Sequence, residues 1–242
     1  MAIISTQAIV ISSIKYGESS LISKLYTKDL GLTSYVMKGI LKSKKGTLKA
    51  AYFQPLTLLS VVVNHHEKRN LHSIREAQVS YVYKTIHTDV AKQSIVMFLS
   101  EVLSSSIQEQ ESNKSLYEYL ENAFLWLDNH NSVSNFHLLF LLNFTKFLGF
   151  YPDQNTQCKE GLHLREGIFT NEFTTGKEIV TGDQITQLKK LLGINFDTLA
   201  SINFSKEQRR EVLRMLIRYF ELHLDGFKTP RSLGVLEAVF SR

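Results

Sequence analysis

The apolar residues change their spacing near Tyr81, and few folds accommodate both halves of the resulting pattern. Between Ala2 and Val79 they come in short, partly alternating runs rich in Ile, Val, Leu, Thr and Tyr: AIVISSIKY, SSLISKLYT, LTSYVMKG, LTLLSVVVN and LHSIREAQV. Turn material such as Tyr16-Gly17-Glu18 and Lys28-Asp29-Leu30-Gly31 separates them. Successive side chains on a strand point to opposite faces, so these runs predict strands. Five strands in about eighty residues suit a small barrel. After Tyr81 the period becomes helical. Val90, Ile95, Phe98, Leu99, Val102 and Leu103 recur at three- and four-residue steps, as do Leu116, Leu120, Phe124 and Leu127. The expected class is α+β: a strand-built domain over 1–80, then a helical domain over 81–242.

Within the helical part, FHLLFLLNFTKFLGF (Phe136 to Phe150) is too short for a bilayer and is interrupted by His137, Asn143 and Lys146. It reads as a buried helix, with Ser134 as N-cap, an end near Gly149 and Pro152 just beyond. From 153 to 182 polar residues and glycines dominate, which predicts a small irregular insertion with a short hairpin around Leu162 to Phe173. Helices resume at Asp183 and after Ser205, each a good N-cap.

The chain is 43% apolar over 242 residues with three prolines, a globular composition. Its single cysteine, Cys158, excludes an internal disulfide framework. The opening MAIISTQAIVISS lacks the charged region and cleavage site of a secretory signal, so the expected compartment is the cytoplasm, with no membrane association. Charge is uneven. Residues 1–80 hold eleven Lys and Arg against four Asp and Glu, a balance of +7, whereas the remainder holds seventeen against nineteen. A concentrated positive field points to a polyanionic partner.

Its densest part is VMKGILKSKKGT (Val36 to Thr47), where Lys38, Lys42, Lys44 and Lys45 fall within eight residues. The stretch is not a nucleotide-binding P-loop, because there Lys follows the second Gly, and here Lys45 precedes Gly46. One reading is a solvated loop that confers solubility. The other is phosphate contact, since Lys15, Lys24, Lys49, Lys68 and Arg69 lie in the same domain with Tyr16, Tyr35, Tyr52 and Phe53 close by. Oligonucleotide-binding folds combine such cations with rings on which bases stack. His65, His66 and His72 do not predict a metal site, since adjacent histidines on a strand face opposite ways. Cys158 has only His163 nearby. No cofactor is expected and no catalytic residues are nominated. In the last long helix Lys206, Arg210, Arg214 and Arg218 recur every four residues with Arg209 at the edge, forming a basic stripe opposite Val212, Leu213, Leu216, Phe220 and Leu224. The stripe is either a solvated face or a docking surface for an acidic peptide or nucleic acid.

The run from Tyr16 to Val63 resembles the RecO family of bacterial DNA-repair proteins. Its Tyr16-Gly17-Glu18 turn, Thr27-to-Gly31 strand end, Lys38-Gly39 with its basic loop, and Gln54-Pro55-Leu56 match that family's pattern in order and spacing. LLNFTKFLGFYPDQNTQC, Leu141 to Cys158, resembles its second landmark. The likeness covers most of the chain. It implies an N-terminal oligonucleotide-binding (OB) barrel, a helical body and a non-enzymatic recombination mediator. Such a mediator binds single- and double-stranded DNA, anneals complementary strands and, with RecR, loads recombinase onto DNA coated by single-strand DNA-binding protein. The DNA contacts it implies are Lys38, Lys42, Lys44, Lys45 and Lys49; Lys15, Tyr35 and Arg69 join them by position. It also implies docking of the acidic C-terminal tail of single-strand DNA-binding protein on the helical part, for which Lys206, Arg210, Arg214 and Arg218 are candidates by charge. Many members carry a four-cysteine zinc module beginning at the position of Cys158. Here Gly161 stands at the second ligand position and no later cysteine exists, so a shortened, metal-free insertion is expected. An RNA-binding barrel, or a helical adaptor with incidental charge, are the alternatives the residues leave open.

Overall fold

The computed structural model describes residues 2–42, 48–66, 68–107, 111–173 and 178–241. Lys44 and Lys45 lie outside the described residues. Five strands come first: β1 (Ala2–Tyr16), β2 (Ser20–Thr27), β3 (Gly31–Met37), β4 (Leu58–His65) and β5 (Leu71–Val79). β1 is longer than its AIVISSIKY core because it serves two partners. Ala2–Ile9 pair antiparallel with β4 and Ala8–Tyr16 with β2, and a bulge between Val10 and Ser12 re-aims the strand. β2 pairs with β3 and β4 with β5, both antiparallel. The ring closes where Ser34, Tyr35 and Val36 of β3 run parallel to Leu71, His72 and Ser73 of β5. The closed order β1-β2-β3-β5-β4 is the expected OB-fold barrel.

Alternation sorts its side chains. Ala8, Val10, Leu25, Tyr35, Met37, Leu59, Val61, Val63, Ile74 and Ala77 fill the interior, with Ile40 and Phe53 closing over them. By Cα packing the chain falls into two compact units, 1–129 and 130–242. The first also holds α1 (Val90–Ser106) and α2 (Lys114–Asn129). α1 packs on β1. At α2, Tyr26 donates its hydroxyl proton to the Asn113 carbonyl at 3.2 Å, and Lys28 lies 3.1 Å from Glu118. The C-terminal half of β2 is therefore covered on its outer side.

One buried carboxylate fastens the connection from barrel to helices. Asp128, at the end of α2, accepts backbone N–H bonds from Lys84, Thr85 and Ile86 and the Tyr81 hydroxyl. Buried Lys92 donates to the Asp128 carbonyl at 2.9 Å and to Thr85 Oγ1 at 2.6 Å. Burial alone would raise the Asp128 carboxyl, but the three N–H donors outweigh it and hold the group below its ordinary value.

In the second unit α3 (Phe136–Leu148) is buried on nearly every side, which is why its sequence shows little amphipathic contrast. Gly149 ends it at φ 83°, the left-handed C-cap. Its N-cap is Asn135, not Ser134, and that side chain is committed to tertiary bonds with the Ile202 carbonyl and Arg209. The insertion carries β6 (Gly161–His163), β7 (Ile168–Thr170) and β8 (Ile179–Thr181) in the order β7-β6-β8. The first two are the expected hairpin. The third is too short to show a period. α4 (Asp183–Leu191) starts at the residue read as its cap, with Gly182 in the cap position. α5 (Lys206–His223) opens on a reciprocal capping box between Ser205 and Gln208. α6 (Leu233–Val239), seven residues long, has no counterpart in the sequence reading.

Replacing Asp128 by Ala leaves three N–H groups, that of Ile86 buried, without their acceptor and should lower stability by about 3 kcal/mol, read from the urea midpoint. Because the folded carboxyl titrates below its unfolded value, its stabilisation is present above about pH 4 and is lost as pH falls through the folded value. The gap between wild type and Asp128→Ala should therefore narrow in acid.

Candidate nucleic-acid interface

Because Ser23, Leu25, Tyr35 and Met37 point into the barrel, their neighbours on β2 and β3 point out. Ile14 faces Ile22, Ile22 faces Val36, and Val36 lies beside Ser73, giving one row across four strands. The adjacent row is Ser12, Lys24, Ser34 and Leu71. Tyr16, opposite Ser20, stands at the end of β1. Unlike the outer surface around Tyr26, this part is open: Ile14 is 61% exposed, Tyr16 58% and Leu71 39%.

Two cationic connections frame it. The loop after β3 is hooked onto the β1–β2 turn: the Gly39 N–H donates to Ser20 Oγ at 3.3 Å, the Leu41 N–H donates to the Ser19 carbonyl at 2.9 Å, and Lys42 Nζ lies 3.0 Å from Glu18. Gly39, at φ 73°, makes the reversal, and buried Ile40 anchors it in the core. Lys38 and Lys42 are thereby placed at one end of the open face. At the β5 side stands the β4–β5 connection with exposed Lys68 and Arg69. The Arg69 N–H donates to the His66 carbonyl at 3.0 Å, and the His66 N–H donates to Nδ1 of buried His72 at 3.2 Å. His65 stacks on His72 at 4.5 Å. Burial, with the neighbouring histidines, lowers the pKa of His72, and its Nδ1 must stay unprotonated to accept that bond. These histidines pin a turn, and no cluster of three or more metal-ligating side chains occurs among the described residues.

The structure thus brings together Lys38, Lys42 and Arg69 around the open face. It does not bring Lys15, Lys49 or Tyr35 there. Lys15 sits opposite Leu21, on the side of the β1–β2 ribbon away from Ile14. Exposed Lys49 lies 5.8 Å over the Tyr52 ring, at the start of a short turn of 3-10 helix (Ala50–Phe53). Tyr35 is a correction: it is wholly buried in the barrel, and burial pushes its hydroxyl up to about 12, so it presents no ring for base stacking. Tyr16, one face over, is the exposed ring. Sequence reasoning counted Lys24 only toward the charge of the domain and did not nominate Ile14, Ile22 and Val36; the common face of all four follows only from the strand register.

The basic stripe of α5 is largely spoken for. Arg214 makes a two-pronged contact with Glu237 at 2.8 and 3.0 Å. Arg218 bridges Glu178 at 2.6 Å and Glu221 at 3.1 Å, tying the insertion to the helix. Arg210 pairs with Glu207, and Lys206 donates to the Ser241 carbonyl at 2.8 Å. Beside Lys206 and Arg210 a solvent-open cleft of about 260 Å³ is lined by Arg209, Leu213, Leu236 and Phe240. At its base buried His137 stacks on Phe240 at 5.4 Å. Burial, reinforced by the charge of Arg209, lowers the His137 pKa to about 3 and keeps it neutral.

The insertion does not fit a zinc ion. Cys158 is exposed. At Gly161 an added Cβ would lie 2.8 Å from the Phe173 ring, 3.0 Å from Ile179 Cγ2 and 3.2 Å from Thr181 Cγ2, so apolar packing occupies the space a second thiol would need.

Residues 1–83 match the family model described as Recombination protein O N terminal, and residues 87–232 the one described as Recombination protein O C terminal. The DNA repair protein RecO of Christiangramia forsetii is 44% identical over 98% of this chain and 99% of its own length. That of Flavobacterium johnsoniae is 45% identical with the same coverage, and that of Bacteroides fragilis 31% identical over 97% and 98%.

The burial of Tyr35 makes a stability prediction. Tyr35→Ala should destabilise the fold by about 3–5 kcal/mol in urea unfolding, as expected for an emptied core site. The same change at exposed Tyr16 should fall within about 0.5 kcal/mol of wild type.

Proposed function

Because the chain belongs to the RecO family, we propose that it is a DNA repair protein acting as a recombination mediator. It binds single- and double-stranded DNA and anneals complementary strands. With RecR it helps load recombinase onto DNA coated by single-strand DNA-binding protein. It does so by binding, without covalent chemistry, in the cytoplasm and on the nucleoid. Among the described residues no helix is long and apolar enough to cross a membrane.

The observation that carries this reading is a closed OB barrel whose outer face stays open between two cationic connections. In this fold the face of the second and third strands, with the first-to-second and fourth-to-fifth strand loops, is where oligonucleotides bind. Residues 1–80 form the DNA-binding domain. Lys38, Lys42 and Arg69 neutralise phosphates at its rims; Lys44 and Lys45, which follow Lys42 in the sequence, are assigned phosphate contact with them. The Lys42–Glu18 pair is exposed and therefore worth under about 1 kcal/mol, so Lys42 exchanges its carboxylate for a phosphate at little cost. Residues 81–242 form the partner-binding body, with 153–182 a shortened, metal-free appendage. The cleft beside Lys206 and Arg210 receives the acidic, apolar tail of single-strand DNA-binding protein: the cations meet its carboxylates, and Leu213, Leu236 and Phe240 its apolar side chains.

Each phosphate contact releases condensed counterions, so affinity falls with salt in proportion to the contacts made. Replacing Lys42, Lys44 and Lys45 together by Ala should weaken DNA binding and flatten the log K against log salt slope by about 2 to 3 units on duplex. An unchanged slope would remove the loop from the interface. Lys206→Ala with Arg210→Ala should weaken binding of an acidic tail peptide by about 5- to 10-fold and leave annealing of naked strands unchanged, measured by anisotropy and by a fluorescence annealing assay.

A further inference from the structure

The centre of the open barrel face is apolar. Ile14, Ile22 and Val36 form one unbroken row over three strands, Ile14 exposed and Ile22 and Val36 half-buried, with exposed Tyr16 next along β1 from Ile14 and exposed Leu71 in the neighbouring row. Scattered exposed aliphatics are ordinary on protein surfaces; a contiguous set spanning several strands marks a binding surface. Here the set has a cationic margin. Lys24 follows Ile22 on the same face of β2, Lys38 lies two residues beyond Val36, and Lys68 and Arg69 lie three and two residues before Leu71. Lys24 and Lys38 meet no carboxylate among the described residues.

An apolar centre inside a cationic rim complements one chemistry above others. Unpaired DNA offers phosphates along its backbone and bare base faces beside them, whereas a duplex keeps those faces stacked within itself. We propose, resting on the DNA-binding reading above, that the row Ile14–Ile22–Val36, with Tyr16 and Leu71, is a base platform that gives this protein a preference for unpaired over paired DNA. Bases lie with their faces on the aliphatic row while the rim lysines hold the phosphates. The contact is indifferent to base identity, because every base has an apolar face. It is also weaker than ring-on-ring stacking, which suits a protein that must release a strand to its complement.

The test uses the full chain with Ile14→Thr and Val36→Thr combined, since threonine keeps the β-branched shape that strands favour. Ile14→Thr alone, at a largely exposed position, serves as the variant least able to disturb folding. Anisotropy with a labelled single strand and a duplex of equal length should show the double variant losing about tenfold on the single strand and no more than about twofold on the duplex. Its salt slopes should match those of wild type, because no phosphate contact is removed. The single variant should shift the single-strand to duplex ratio in the same direction by a smaller factor. Equal losses on both substrates, or an unchanged ratio, would overturn the platform while leaving the DNA-binding reading in place. So would a wild-type dimer in sedimentation that the double variant abolishes, since the row would then be an interface between copies. Failure of the wild type to bind either DNA would overturn both.

Discussion

Three parallel pairs, Ser34 with Leu71, Tyr35 with His72 and Val36 with Ser73, turn five strands into a closed ring. Without them β3 and β5 would be free edges and the interior would be open to water. Closure fixes one set of side chains inside, where Tyr35 and Met37 join Leu25, Val61 and Ile74 in one core. The alternate set is committed to the outside, where Ile14, Ile22, Lys24 and Val36 have no interior to enter. The same ladder sets the β4–β5 connection, with Lys68 and Arg69, at the flank of that outer face. The site is thus a consequence of how the barrel closes.

The two compact units use their positive charge differently. On the barrel, Lys24 and Lys38 meet no carboxylate among the described residues, and Lys42 holds Glu18 only through an exposed pair. On α5, Arg210, Arg214 and Arg218 are matched with Glu207, Glu237, Glu178 and Glu221. A guanidinium already held by two carboxylate oxygens, as Arg214 is, has little left to offer an anionic partner. This contrast supports the proposal that polyanions bind on the barrel. On the helical unit it leaves the cleft beside Lys206 and Arg210, where cations stand next to apolar side chains.

Much of the fold was legible because it rests on local periods. The strands of 1–80 and the helices from Asp89 onward follow from the switch between a two-residue and a 3.6-residue spacing, and Gly149 and Ser205 mark helix ends by their own chemistry. What was not legible depends on pairing between distant segments. Thr33, Tyr35 and Met37 alternate with Ser34 and Val36, and both sets contain apolar residues. Only the register against β2 and β5 decides that Tyr35 enters the core and Val36 does not. The four-residue spacing of the arginines on α5 was visible, but Glu237 and Glu178, which neutralise them, lie far along the chain. α6 spans seven residues and β8 three, too few for any period to register, whereas the equally short β6 and β7 were marked by the turn residues between them.

In the proposed complex DNA lies across the outer face of β1, β2 and β3, between the turn that carries Lys42 and the connection that carries Arg69. Hydroxyl-radical footprinting of the full chain, with and without a saturating single strand, reads this directly from side-chain reactivity. DNA bound there should protect Ile14, Tyr16 and Leu71 while exposed Met97 on α1 and Phe173 in the insertion react as before. Protection at Met97 or Phe173 with Ile14, Tyr16 and Leu71 unchanged would contradict it.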